Sequence, residues 1–136
     1  MSTEYWNLAG SDLAQDWSNI GLIATSDDWS GVRSIVGFRG DGLTSATGTD
    51  PRTITGTSSE IDVNANQANP NTFTTGGVAE FHLTNPVVAL QGSGTAAAPY
   101  LAFYLNATGR QTITVSFNLR DIDGSTDNAV QPIAVQ

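Results

Sequence analysis

No cysteine and no lysine occur in this sequence. The first absence excludes disulfides, thiolate metal sites and cysteine nucleophiles. The second leaves five arginines as the whole basic complement, against 13 acidic residues, for a formal charge of −8. That balance argues against nucleic-acid phosphate and anionic membrane surfaces as direct partners, because the electrostatic term repels both. No apolar run approaches the ~20 residues that a membrane-spanning helix needs. The start, Met1-Ser-Thr-Glu-Tyr-Trp6, has neither a basic nor an apolar leader region, so no signal peptide is read there. The composition is rich in Thr, Ser, Asn, Gly and Ala and poor in charge, as in bacterial extracellular β modules. These features together predict a piece excised from a larger exported protein. Residues 1–136 form a single domain by length, large enough to bury a core.

Helix signals are nearly as scarce as cysteine. One turn at 11–18 is expected, with Ser11 as its cap and Leu13 and Trp17 on its apolar side. Strand signals dominate, at 5–9, 20–25, 34–38, 61–63, 78–83, 87–90, 100–106, 112–120 and 130–135. Each is bounded by Gly, Pro, Asn or Asp, which supply turn conformations. Eight or nine short strands in one domain predict an all-β fold, a β-sandwich of jelly-roll type. Residues 40–56 and 64–77 read as long surface loops, the second too polar to pack.

The clearest strand is 112–120. Ile113, Val115, Phe117 and Leu119 fall on one face; Thr112, Thr114, Ser116, Asn118 and Arg120 fall on the other. That period of two marks a strand with one wet face. Directly after it, Asp121, Asp123, Ser125, Asp127 and Asn128 gather around Gly124, before the chain turns apolar again at 130–135. Calcium takes six to eight oxygen ligands, and alternate side chains of a tight loop can converge on one ion. The loop is not an EF-hand, since Gly stands at its fourth position and Pro132 at its twelfth. The alternative is an ordinary turn with solvated carboxylates. Residues 130–136 stop in mid-strand, which predicts an open edge and self-association through this terminal strand.

Four runs carry a resemblance: Asp27-Asp-Trp-Ser-Gly-Val-Arg-Ser-Ile35, Asp62-Val-Asn-Ala-Asn66, Asn71-Thr-Phe-Thr-Thr-Gly-Gly-Val-Ala-Glu-Phe81 and Arg120-Asp-Ile-Asp-Gly-Ser-Thr-Asp-Asn-Ala-Val130. Across almost its whole length the chain resembles an accessory module of large bacterial exported and cell-surface proteins. Some of those are multidomain extracellular nuclease-type proteins with calcium-binding repeats. The resemblance implies export, a β-sandwich and a non-catalytic role. It also implies that the chain is the N-terminal part of the module, cut short at its C-terminus.

Other candidates have plainer readings. Asp27-Asp28-Trp29 either completes a cation site or forms a turn with Trp29 over the core edge. His82, the only histidine, shares a strand face with Glu80, and nothing in the sequence nominates a nucleophile or metal beside it. It reads as a residue of a solvent face. Arg39-Gly40-Asp41 spells an adhesion tripeptide but sits in a natural turn. Tyr5, Trp6, Trp17, Trp29, Tyr100 and Tyr104 include candidates for a sugar-stacking platform, with core packing as the rival use. The expected function is therefore a non-catalytic extracellular module with a structural, assembly or adhesive role, with calcium stabilisation and a plain solvated turn both open as readings of the acidic loop. The alternative is a carbohydrate-binding accessory module of an exported bacterial hydrolase, with a glycan as partner.

Overall fold

A computed structural model describes residues 4–124 and 132–136. Among them the fold is all-β, built from seven short strands in three small sheets, with no closed barrel. Strand β1 (Trp6–Asn7) runs parallel to β7 (Leu105–Asn106), and β2 (Ile35–Phe38) runs antiparallel to β6 (Tyr100–Phe103). The third sheet orders β3 (Asn64–Gln67), β4 (Gly77–Phe81) and β5 (Val87–Gln91), with β4 in the centre.

Residues 60–67 join the two larger sheets. Asp62 N donates to the Gly37 carbonyl at 3.0 Å and Arg39 N to the Glu60 carbonyl at 3.0 Å, so this run lies along the free edge of β2. It then continues as β3 along β4. The apolar residues of both sheets face the resulting angle: Ile35 and Val36 from β2, Val63 and Ala65 from the joining run, Val78 from β4. Ile23, Trp29 and Val32 close the core from the connecting segment. Trp29 is 1 % exposed, and its Nε1 donates to the Asp62 carbonyl at 3.1 Å. Burying a ring of this size contributes about 5 kcal/mol at ~25 cal/mol per Å², and the indole N–H keeps a partner in the interior.

The strands expected at 34–38, 78–83, 87–90 and 100–106 are present with shifted ends, the last split at Tyr104 into β6 and β7. Five expectations are corrected. Residues 20–25 form turns rather than a strand, although Ile23 is buried. Residues 11–18 form no helix, because the Gln15 and Asp16 side chains accept from the amides of Trp17 and Ser18 and compete with the helical ladder. The supposed loop at 64–77 opens with β3, whose polar residues are held by a register shift against β4. Residues 112–120 are not in a strand: pairing needs a neighbouring edge, and among the described residues none lies alongside. Thr112 has φ +60°, so the chain bends there before running on. Residues 132–136 likewise carry no strand pairing, and Ile133 and Val135 are exposed.

Candidate functional site

Two polar clusters and one apolar surface carry the chemistry that the sequence suggested. The first cluster is the acidic loop. Asp121 Oδ1 accepts the Asp123 N–H at 3.0 Å, a tight Asx turn, and Gly124 N donates to Asn71 Oδ1 at 2.8 Å. The loop is thereby tied to the turn at Pro70–Thr72. Ser125, Asp127 and Asn128 lie outside the described residues. Asp121 and Asp123 supply two carboxylates, whereas calcium takes six to eight oxygen ligands. Among the described residues, no group of three or more His, Asp or Glu side chains is arranged to hold a metal.

The second cluster lies inside the fold. Asp62 is 9 % exposed, and its Oδ2 accepts the Val78 N–H at 2.6 Å. Gly77 permits this approach with φ +88°, a conformation that side chains rarely adopt. Burial pushes the Asp62 carboxyl above the ordinary carboxylate range. The Val78 N–H pulls it down, nearby Asp27 pushes it up and Arg39 pulls it down. Asp27 makes a reciprocal pair with Val63, donating to its carbonyl at 2.9 Å and accepting from its amide at 3.2 Å. Its backbone sits in the left-handed region, φ +62°, which Asp tolerates better than most residues. Asp27 and Trp29 therefore serve the turn and core reading of their cluster. Asp28 caps the same turn, accepting from Ser30 N at 2.9 Å.

Glu80 and His82 stand differently from expectation. All five residues of β4 are buried, so the face holding Glu80 is covered rather than wet. Glu80 Oε2 accepts the Asn66 N–H at 2.9 Å, where the register shift of β3 presents a spare amide. His82 Nε2 lies 2.6 Å from Glu80 Oε1, but off the line of a ring N–H hydrogen bond. The pair closes the end of β4.

The adhesion tripeptide is tied into the body. Arg39 reaches Glu60 at 3.3 Å, and Asp41 Oδ1 accepts from the Ser58 hydroxyl at 2.9 Å. A Cβ on Gly40 would lie 1.8 Å from the Ala98 carbonyl oxygen. The aromatics are mostly spent on packing. Phe38 and Tyr100 stack at 5.0 Å, Trp17 meets Trp29 edge-on at 6.3 Å, and Arg33 lies over Trp6. Tyr5 packs edge-on against Tyr104 at 5.7 Å yet stays 60 % exposed, so a sugar platform has one free tyrosine ring rather than a pair.

The apolar surface is carried by the segment with the clearest alternation in the sequence. Ile113, Val115, Phe117 and Leu119 are 46–66 % exposed. Among the described residues, no backbone group of 111–119 makes a hydrogen bond. The two ends of the segment are pinned. Arg110 donates to the Leu8 and Ala9 carbonyls, and Arg120 donates to the Asn85 carbonyl. Between those pins the segment lines an open region that residues of β5 and β6 also line. Leu90 and Phe103 add exposed apolar area there. Comparison of the chain with known protein families, characterised proteins and solved structures finds no match.

Proposed function

We propose that this chain is a non-catalytic module of an exported bacterial protein, with a role in assembly or adhesion. The observation that supports this reading is the segment 113–119. It has the period-two pattern of a strand, no pairing partner among the described residues and four exposed large apolar side chains. Soluble monomers rarely expose such a row, and an unpaired strand is a template for another strand. In this reading the three sheets are parts of a jelly-roll sandwich, and the loop from Asp121 to Asn128 binds calcium beside the assembly surface. The titratable groups serve structure: Asp62 holds an amide, Glu80 holds another, and His82 lies at a strand end. Light scattering over a concentration series tests the reading. The expected result is a mass that rises with concentration and falls on Phe117→Asp; a constant monomer mass refutes it.

A further inference from the structure

We propose that the partner of this surface is a second copy of the same chain, joined by antiparallel pairing of 113–119 about a two-fold axis at Ser116. The proposal rests on the assembly reading and specifies its partner and register.

The argument begins with symmetry in the segment. Counted outward from Ser116, the residues are Val115 and Phe117, then Thr114 and Asn118, then Ile113 and Leu119. A two-fold axis at Ser116 therefore sets Val115 opposite Phe117, Ile113 opposite Leu119 and Thr114 opposite Asn118. All four large apolar side chains then lie on one face and meet across the seam. Facing pairs of this kind are the unit of sheet stabilisation. Neighbouring registers do worse. A slip by one residue sends the apolar faces of the two copies to opposite sides. Moving the axis to Val115 sets Leu119 against Gln111, and moving it to Phe117 sets Ile113 against Asp121.

Charge favours the same arrangement. Arg110 stands before the segment, whereas Arg120, Asp121 and Asp123 follow it, so one end is +1 and the other −1. Antiparallel pairing brings the basic end of each copy level with the acidic end of the other. Parallel pairing would set like against like.

The backbone is ready for such a partner. No N–H or C=O of 113–119 is engaged elsewhere among the described residues, and the arginine pins hold both ends while leaving the middle free. An isologous contact of this kind closes about its two-fold axis as a dimer and engages one edge of each segment.

The natural absence of cysteine makes the test direct. Residues facing each other across an antiparallel seam have Cα atoms ~4.5–5.5 Å apart, inside the range that a disulfide spans. Ser116→Cys is expected to form a covalent dimer rapidly under mild oxidation. Thr114→Cys, whose copies would lie about 13 Å apart, is expected not to. Ser116→Pro, which removes a ladder N–H, is expected to weaken association about tenfold or more. The melting curve of the diluted protein should hold, because 113–119 makes no backbone hydrogen bond among the described residues. If the unmodified chain associates but Ser116→Cys does not cross-link above the Thr114→Cys level, this register is overturned and the assembly reading stands. A contact through 132–136 would give that result. If the unmodified chain stays monomeric at every concentration, both are overturned.

Discussion

Gly77 and Asp62 are fitted to each other: a Cβ on Gly77 would lie 2.1 Å from Asp62 Oδ2, the atom that receives the Val78 N–H. A bare glycine thus allows a buried carboxylate to seal the start of the central strand. Gly77→Ala removes that space and also forces φ +88° on a residue with a side chain. The strained backbone alone costs about 1–3 kcal/mol, and the contact adds to it. Urea unfolding should show a lower midpoint with an unchanged slope. A midpoint equal to that of the parent protein would mean that Asp62 is not held against this strand.

The same carboxyl sets a pH dependence. Its folded-state pKa is raised, chiefly by burial, so the folded protein holds that proton more tightly than the unfolded chain does. Its contribution to stability is therefore greatest in acid and is lost as pH rises through the raised value. Glu4, Asp16, Asp28 and Asp50 are shifted downward, mainly by hydrogen bonds from Arg33, Ser18, Ser30 and Arg52, and they act in the opposite sense. Comparing Asp62→Asn with the parent cancels those shared groups. The melting temperature of the variant, relative to the parent, should rise between about pH 3 and about pH 7. A difference that stays flat, or falls, contradicts a raised pKa at Asp62.

Trp29 joins the core to the strand network through its ring and its N–H. Trp29→Ala leaves a large cavity and frees the Asp62 carbonyl, at a cost of about 3–5 kcal/mol. Phe81→Ala, at another fully buried aromatic, belongs to the same range. A loss below 1 kcal/mol at Trp29, measured by denaturant unfolding, would mean that the core closes without it.

Calcium should raise the melting temperature by mass action if the Asp121 loop binds it, and chelator should reverse the gain. Asp123→Ala is expected to abolish the response. Melting curves indifferent to calcium, or a full response kept in the variant, rule out the site.

The sequence made some elements legible and hid others for physical reasons. Strands β2, β4, β5 and β6 announce themselves because runs of apolar and β-branched residues favour a strand, buried in β2 and β4 and half-buried in β5 and β6. Strand β3 did not, since Asn-Ala-Asn-Gln carries almost no apolar signal; its pairing depends on the Asn64 side chain donating to the Val78 carbonyl at 3.0 Å and on a register shift. Glu80 and His82 looked like a wet face by alternation, but the spare amide of Asn66 covers Glu80, and nothing local encodes that. Asp62 and Gly77 are 15 positions apart, so their fit is a tertiary fact. The segment 112–120 shows the reverse case. Its pattern is the clearest in the chain, but a pattern specifies an edge without supplying the neighbour. The candidate calcium ligands were legible as a loop, and three of the five lie outside the described residues.

The two arginine pins also leave a proteolytic signature. With no lysine in the chain, trypsin has only five cleavage sites, and Arg110 and Arg120 bracket the segment as two of them. Double cleavage releases residues 111–120 as one decapeptide carrying the whole apolar row. An unpaired segment is open to the protease; a paired one presents a strand that does not fit an extended-substrate groove. The rate at which that decapeptide appears, followed by mass spectrometry as protein concentration is raised, therefore reports directly how much of the surface is occupied.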